Sequence, residues 1–265
     1  MQSYVSPIWR HFPSDLISRT ERCIRIASER LENKGPGHIF FRADDVAAPG
    51  DKFGRLMDIF KRHRAPLCLA VVPAWLTESR WQYLKDLGAK ESSLWCWHQH
   101  GWRHKNHETD GKKQEFGTSR SRSNIKRDLV QGKRRLEDLM EAEFYPVFTP
   151  PWNRCSLSTL QLLGELGYVA VSRSRGSEPK APRELPDLCV NVDLHTRKER
   201  EPASGWSNLL NELQQAISSN CCGIMIHHQR MNDGAFDFLE MLIRVLVKRR
   251  ELQLVNYKDL NRLGP

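Results

Sequence analysis

The chain has 265 residues, of which 39% are hydrophobic and 28% are charged, a balance that excludes a disordered or membrane-embedded protein. Its longest apolar run, residues 67–72, is far shorter than the ~20 residues that span a bilayer. A chain of this length can bury one large core, because α/β barrels of about 200–250 residues routinely form a single domain. We therefore expect a soluble globular protein without a membrane span.

The 41 basic and 32 acidic residues leave a net charge of +9, which favours anionic partners. The basic residues are dispersed and form no recognition motif, so nucleic acid is not expected as the main partner. Residues 1–15 contain no basic stretch followed by an apolar one, so we predict no secretory signal and a cytoplasmic location. The seven cysteines include no C-x-x-C pair and are interpreted mostly as buried reduced thiols rather than zinc ligands.

Short apolar runs alternate along the chain with segments of helical period, a pattern typical of β-α units around a parallel sheet. The predicted strands are residues 38–42, 67–72, 94–97, 147–148, 169–172, 188–192, 223–226 and 252–255. The predicted helices are residues 15–31, 54–63, 81–87, 121–143, 156–166, 206–218 and 236–250. Ser14 is a candidate N-cap, and Gly88 and Gly167 stand where C-caps belong.

Seven or eight β-α repeats predict an α/β fold of the (β/α) barrel type, closed or partly open. Residues 1–36 are predicted to be an N-terminal helical extension, and residues 37–265 to form the barrel. Three long polar stretches, residues 105–119, 174–187 and 196–205, each follow a predicted strand. Loops after the carboxyl ends of parallel strands build the active sites of such folds, so we expect the site there.

Two adjacent acids, Asp44 and Asp45, end the first predicted strand in the sequence FFRADD. Burying two carboxylates at a strand end is costly unless a cation, hydrogen-bond donors or a shared proton compensates. The pair is therefore a candidate functional site, although an acidic pair at the start of a loop is also common as a helix cap or turn.

Four of the ten histidines follow the third predicted strand closely: His98, His100, His104 and His107. The imidazoles of His100 and His104, four residues apart, can converge on one divalent ion, particularly if the segment turns helically. Asp44 or Asp45 at a neighbouring strand end would supply a third ligand. The clustering predicts a metal site.

Two later strand ends carry further candidates. A Pro-Pro turn in VFTPPWNRC presents Trp152 and Asn153, and the strand CCGIMI ends at His227 and His228. In a barrel, these strand ends would face the same mouth as the acids and the histidine cluster.

Acids and histidines at the ends of the first, third and seventh strands, with the Pro-Pro-Trp turn, resemble the NodB-type polysaccharide deacetylases of carbohydrate esterase family 4. The resemblance covers about residues 37–260 and is closest to a diverged cytosolic polysaccharide deacetylase-like branch. It implies a distorted, NodB-like barrel of seven or eight β-α units behind the N-terminal helical extension.

The family motif Thr-Phe-Asp-Asp-Gly is similar to residues 42–46, which implies that Asp44 is the general base and Asp45 a metal ligand. The motif His-Thr/Ser-x-x-His resembles residues 100–104 and implies His100 and His104 as the other two ligands. Gly101 stands in place of the hydroxyl residue of that motif.

The motif Arg-x-Pro-Tyr resembles residues 149–152, where Thr149 replaces the arginine that steadies the base. Trp152 replaces the tyrosine whose backbone N–H is the oxyanion donor. Arg154 or Arg42 is a candidate substitute for the missing arginine. Four residues of this turn are expected to bind substrate: Pro151, Trp152, Asn153 and Arg154.

The motif Leu-x-His is similar to residues 225–227 and implies that His227 is the general acid. Asp193 is the nearest candidate for the aspartate that orients this acid in the family. The residues whose roles stay open are His98, His107, Asp193, His195 and His228.

The resemblance implies a metal-dependent hydrolase that removes an acetyl group from the amide nitrogen of an N-acetylated sugar or saccharide. Zinc is the expected metal, with cobalt, nickel or manganese as alternatives. Two other functions stay open: hydrolysis of another linear or cyclic amide, and a degenerate barrel that binds metal and saccharide without catalysis. The oligomeric state is not indicated.

Overall fold

The structure is a computed structural model that describes residues 5–31 and 35–263. Its strands are β1 (Gly37–Val46), β2 (Leu67–Val71), β3 (Trp95–His100), β4 (Phe144–Thr149), β5 (Ala170–Val171), β6 (Val192–Asp193), β7 (Cys221–Ile226) and β8 (Leu252–Leu254). Its α-helices are α1 (Leu16–Glu29), α2 (Asp51–Arg62), α3 (Glu78–Gly88), α4 (Arg122–Met140), α5 (Leu157–Glu165), α6 (Pro202–Ser218), α7 (Asp233–Leu246) and α8 (Tyr257–Leu263).

The strands form one eight-stranded sheet in the order β5-β4-β3-β2-β1-β7-β6, with β8 beside β1. β1 runs parallel to β7, with Phe41 opposite Ile224, and β3 runs parallel to β4, with His100 opposite Thr149. Parallel pairing requires a crossover connection, and α-helices provide it along the chain. The predicted α/β class is confirmed.

The chain divides into two compact units. Within the described residues, the first comprises the chain up to Ala43, together with Gly50–Leu67 and Asn191–Asn256. The second comprises Asp44–Pro49, Cys68–Val190 and the chain from Tyr257 onwards.

In the first unit, helices pack on the strands through apolar faces. Helix α7 begins where the side-chain oxygen of Asn232 accepts a 3.0 Å hydrogen bond from the backbone N–H of Ala235. Its buried face has helical spacing: Phe236, Leu239, Leu242, Ile243 and Leu246. Helix α1 contacts α6, where the Cys23 thiol lies 3.0 Å from the carbonyl oxygen of Leu210.

In the second unit, α4 and α5 begin at serine caps. Ser121 and Ser156 accept hydrogen bonds from backbone N–H groups three residues further on. Both helices pack on one apolar core, which also contains Phe116 from the long loop before α4. The backbone carbonyl of Phe116 accepts the N–H of Ser156 at 2.9 Å. This loop is therefore anchored in the core, and it carries part of the candidate site.

Several predicted boundaries differ from the structure. β1 continues to Val46 and β3 to His100, so the acidic pair and the first histidines lie within strands rather than in the loops after them. The predicted strand 188–192 is divided between two partners. Asp187 and Val190 form isolated bridges to residues 171 and 174, and only Val192–Asp193 forms a strand, beside β7.

The predicted cap at Ser14 is wrong, because Asp15 is the N-cap of α1 and makes no side-chain capping bond. Gly88 is the last residue of α3 rather than a left-handed C-cap, whereas Gly167 follows α5 with φ 73° as predicted. The boundary of the N-terminal extension at residue 36 stays a prediction.

No disulfide joins any of the seven cysteines, all of which lie within the described residues, and five of them are buried, as expected for reduced thiols. No helix of the described chain is long and apolar enough to cross a membrane.

Candidate metal centre

The candidate centre begins at the carboxyl end of β1, where Asp44 is buried with only 3% of its surface exposed. Asp45 follows with φ 61°, in the left-handed region that non-glycine residues rarely adopt. Successive side chains of a strand point to opposite faces, so the turn at Asp45 determines where its carboxylate reaches.

Three ligand atoms converge at this point. The Oδ1 atom of Asp45 lies 3.3 Å from the Nε2 atom of His100 and 3.2 Å from the Nε2 atom of His104. The three atoms lie within 4.8 Å of one another. Ligand atoms held about 2.1 Å from one tetrahedral ion are about 3.4 Å apart, so the observed separations match a shared divalent ion.

Hydrogen bonding at the far side of His100 supports the same interpretation. Its Nδ1 atom lies 3.0 Å from the carbonyl oxygen of Thr149, which can only accept, so Nδ1 carries the proton. In its neutral form, the one in which a histidine binds a metal, His100 therefore directs the lone pair of Nε2 at the carboxylate of Asp45. Two electron-pair donors that face each other need a cation between them, and a carbonyl behind a histidine is typical of metal ligands.

The two imidazoles have opposite pKa shifts. Burial opposes protonation of His100, but the carboxylates of Asp45 and Asp44 outweigh it, so the pKa of His100 is raised. The pKa of His104 is lowered, first by burial and then by the charge of His100. The carboxylates thus favour positive charge at the centre. Of the two imidazoles, His100 binds a proton more readily than His104 does.

The segment between the two histidines is a loop and not the helical turn considered from the sequence. Gly101 has φ 62° and His104 has φ 55°. A non-glycine residue in this region costs about 1–3 kcal/mol and persists only where the surroundings over-determine it. The ligand spacing is therefore produced by a strained loop.

The Pro-Pro turn after β4 borders this loop. Trp152 and Asn153 have φ 57° and 59°, and the Trp152 ring lies 4.5 Å from the ring of His104. The centroid of the Trp75 ring also lies 5.8 Å from that of His104. Arg154 donates to the carbonyl oxygen of Lys113 at 3.5 Å. Of the four residues expected to bind substrate, Pro151 to Arg154, it is Trp152 that contacts a candidate ligand.

Thr149, which replaces the family arginine, is fully buried, and its hydroxyl lies 2.9 Å from the Nε2 atom of His98. His98 is therefore a neighbour that holds Thr149 behind His100, and it is not one of the convergent ligands. Arg42 is also fully buried and donates to the sulfur of Met225 at 3.1 Å. His107 lies in the loop, outside the convergent group.

The first unit holds the other predicted residues, around the end of β7. The backbone N–H of His227 donates to the Nδ1 atom of His195 at 3.2 Å. Asp193 accepts the backbone N–H groups of His195 and Thr196 at 3.0 and 2.9 Å, so it shapes a turn. His228 is buried against the ring of Phe53, 5.4 Å away.

Burial lowers the pKa of His195 well below its ordinary value, and the neighbouring cationic groups act in the same direction. The imidazole therefore stays neutral, and its Nδ1 atom can accept the bond from His227. This contact holds the backbone of His227 and not its imidazole, which the family pattern expects an aspartate to orient.

Sequence reasoning missed Glu115. It is 1% exposed, and its carboxylate accepts the backbone N–H groups of Trp102, Arg103 and His104 at 2.6–3.2 Å. Burial raises the pKa of Glu115, and these hydrogen bonds oppose the shift. One acid within a polar loop has no distinctive sequence pattern, so only the fold reveals the contact.

A parallel α/β fold in which two imidazoles and a carboxylate converge beside strand ends defines a (β/α) protein with a candidate divalent-metal centre. The sequence pattern of the polysaccharide deacetylases matches residues 32–171, and the chain belongs to that family. Among proteins of curated function, none matches the sequence.

Solved structures of this family share the fold. A candidate polysaccharide deacetylase from Mycobacterium smegmatis superposes with a TM-score of 0.66 at 14% identity, over 87% of this chain and 91% of that one. The chitin deacetylase of Colletotrichum lindemuthianum superposes with a TM-score of 0.59 at 16% identity, over 85% of this chain and 88% of that one. A CE4 family pseudoenzyme from Bacillus anthracis superposes with a TM-score of 0.55 at 14% identity, over 85% of this chain and 66% of that one. The predicted NodB-like fold is confirmed.

Proposed function

We propose that the protein is a metal-dependent hydrolase that removes the acetyl group from the nitrogen of an N-acetylated sugar or saccharide. One observation carries the proposal: Oδ1 of Asp45 lies 3.2–3.3 Å from the Nε2 atoms of His100 and His104. Three protein ligands leave coordination positions open, which is typical of catalytic rather than structural ions. Zinc is the first candidate, with cobalt, nickel and manganese as alternatives.

Asp45, His100 and His104 would hold the ion, with the Thr149 carbonyl fixing the ring of His100. When bound, a divalent ion supplies Lewis-acid polarisation of the amide carbonyl and a lowered pKa of water. The buried carboxylate of Asp44 accepts a proton from the attacking water, whose oxygen forms the new bond to the acetyl carbon.

The chain's own groups complete the reaction. The backbone N–H of Trp152 donates to the oxygen on which negative charge develops. His227 gives a proton to the leaving nitrogen as the carbon–nitrogen bond breaks, so the products are acetate and a free amine. Support for this role is that, in the described chain, the buried Nδ1 atom of His227 has no hydrogen-bond partner.

The test begins with metal content, measured by plasma mass spectrometry on the purified protein and on His100→Ala. About one zinc per chain, lost in the variant, is expected. Asp44→Asn should abolish acetate release and keep the metal, whereas Asp45→Asn should lose both. Equal loss of metal in the two aspartate variants would contradict the division of roles between Asp44 and Asp45. If the protein binds no ion even after zinc or cobalt is added, the proposed hydrolase function is wrong.

A second candidate function is saccharide binding without turnover, and the observation that favours it is Thr149. The buried hydroxyl of Thr149 is engaged by His98 and lacks the positive charge that steadies the base in the family. In that case the chain would bind zinc and an acetamido sugar while releasing no acetate. Arg42, two residues before Asp44 on β1, is the proposed substitute for the missing charge, so Arg42→Met is expected to lower turnover.

A further inference from the structure

A cavity of about 460 Å³ lies beside the candidate metal centre in the second unit. The two share Trp152, which lines the cavity and whose ring is 4.5 Å from the ring of His104. Trp152 and Asn153 both have left-handed backbone angles, and Ser177 donates to the Asn153 carbonyl at 3.4 Å. This wall is therefore held in a specific, strained conformation, a feature that clusters at ligand sites.

The lining of this cavity is cationic. It includes Lys112, Arg154 and Arg175, against one acid, Glu178. Within the part of the chain that the structure describes, none of these three cations forms an ion pair with a carboxylate. By contrast, Arg173 nearby is buried and paired with a carboxylate at 2.6 Å. The cavity thus presents positive charge that the protein itself does not neutralise.

Neutral donors and acceptors complete the lining. Gln114, Asn153, Ser174 and Ser177 offer amide and hydroxyl groups, which match the hydroxyls of a sugar ring. The tryptophan offers an apolar face against which a ring can pack. The combination suits a saccharide that carries a negative charge better than a neutral one, because arginine favours planar recognition of phosphate and carboxylate.

We propose that this cavity binds an anionic substituent, a phosphate ester or a carboxylate, on the acetamido sugar that the metal centre acts on. The proposal rests on the proposed function for the identity of the reacting group. It explains why two arginines without an ion-pair partner in the described chain line a cavity that also includes Trp152, the neighbour of the candidate ligand His104.

Isothermal titration calorimetry of the full chain tests it with N-acetylglucosamine 6-phosphate, N-acetylmuramic acid, neutral N-acetylglucosamine and inorganic phosphate. At least one charged sugar should bind about tenfold more tightly than the neutral sugar, and added salt should reduce the difference. The sugar that shows the gain identifies phosphate or carboxylate. Arg154→Gln and Arg175→Gln should each remove most of the gain. Arg134→Gln is the matched control, since Arg134 is exposed on α4 and does not line the cavity.

Equal affinity for charged and neutral sugars would overturn the proposal, as would an equal loss in Arg134→Gln. Inorganic phosphate that binds as tightly as the sugar phosphate would also overturn it. Measuring acetate in the same samples, with zinc added, distinguishes failure of the anionic-cavity proposal from failure of the proposed function. Tight binding of a charged sugar without acetate contradicts only the hydrolase, and acetate from the neutral sugar alone contradicts only the anionic cavity.

The loop that carries His104 is held by one buried carboxylate, which is an independent observation. Oε1 of Glu115 accepts the N–H of Arg103 at 2.6 Å, and Oε2 accepts those of Trp102 and His104 at 3.1 and 3.2 Å. A Cβ atom at Gly101 would lie 2.2 Å from Oε2, so the carboxylate occupies space that any other residue there would need.

We infer that Glu115 is the positioning residue for the ligand His104, in a loop whose glycine stands where the family motif has a hydroxyl residue. Its two oxygens satisfy three consecutive backbone donors of a strained segment, and Phe116 beside it is anchored in the core. Such support behind a ligand typically changes metal affinity about 10–100-fold.

Two readouts test this assignment on Glu115→Gln and Glu115→Ala. Without metal, amide hydrogen exchange at residues 102–104 should accelerate in both variants. With a chromophoric competitor, zinc affinity should fall about tenfold or more in Glu115→Ala, and less in Glu115→Gln, which keeps one acceptor. Glu108→Gln is the control, because Glu108 in the same loop bonds to Ser119 instead. Unchanged exchange, an equal effect of the control, or a parent chain that binds no zinc would overturn the assignment.

Discussion

Substituting Gly101 by alanine should destabilise the protein by about 2–5 kcal/mol, and the structure separates two causes. The first is conformation, because φ 62° costs an L-residue about 1–2 kcal/mol. The second is space, because the new Cβ would lie 2.2 Å from Oε2 of Glu115 and 2.6 Å from Cγ of Pro151. Overpacking of that kind costs about 1–3 kcal/mol.

Gly111 provides the control that isolates the conformational cause. It lies in the same loop with φ 78°, but a Cβ there would meet no atom within 4 Å. Gly111→Ala should therefore cost only about 1–2 kcal/mol. The free energy of unfolding, measured in urea for both variants and the parent, gives the two values.

The difference between the two glycine variants measures the crowding at Gly101. Equal destabilisation in Gly101→Ala and Gly111→Ala would refute the close approach of Glu115 and Pro151. Zinc affinity should also fall in Gly101→Ala alone, because only that substitution moves the carboxylate that holds His104.

Three further predictions concern the rest of the chain. Below pH ~6.5 the unfolded chain protonates His195, whereas the folded chain keeps it neutral. The free energy of unfolding should therefore decrease as the pH is lowered, by up to about 1.4 kcal/mol per pH unit from this residue. Urea titrations of His195→Gln should lack this contribution to the slope. An unchanged slope would contradict the neutral buried imidazole. Iodoacetamide should modify the exposed Cys221 long before the buried Cys155, because burial raises the pKa of Cys155 to about 12. Peptide mass spectrometry measures the two rates, and rapid labelling of Cys155 in the folded protein would contradict its burial. Gly54→Ala should raise the free energy of unfolding by about 1 kcal/mol in the same urea assay, because alanine favours the helix and the new Cβ in α2 would meet no atom within 4 Å. A lower free energy of unfolding would reveal crowding at this position.

The amino-acid sequence determined most of the architecture by itself. Apolar runs of strand length alternate with helical segments, and this local pattern survives folding because each element buries the face that the pattern marks. The acidic pair and the histidine cluster were also visible, since the residue types and their spacing are properties of the chain. The resemblance to the family motif also indicated that Thr149 stands where the family has an arginine.

Tertiary structure decided which of these groups meet. From the residues alone, Asp44 and Asp45 were equal candidates for the third ligand, and the left-handed turn at Asp45 brings that carboxylate to the histidines. A helical turn was considered for His100 to His104, whereas a strained loop forms because Glu115 compensates its backbone donors. Such bonds join residues eleven to thirteen positions apart, beyond any local period.

The same limit applies in the first unit. Asp193 was the sequence candidate for orienting His227, but its carboxylate is used by the turn that follows β6, and the contact that forms joins His195 to the backbone N–H of His227. The predicted strand 188–192 was likewise divided between two partners, because pairing depends on which strand lies alongside. Local pattern specifies the elements, whereas long-range contacts, whose partners no periodicity encodes, specify the site.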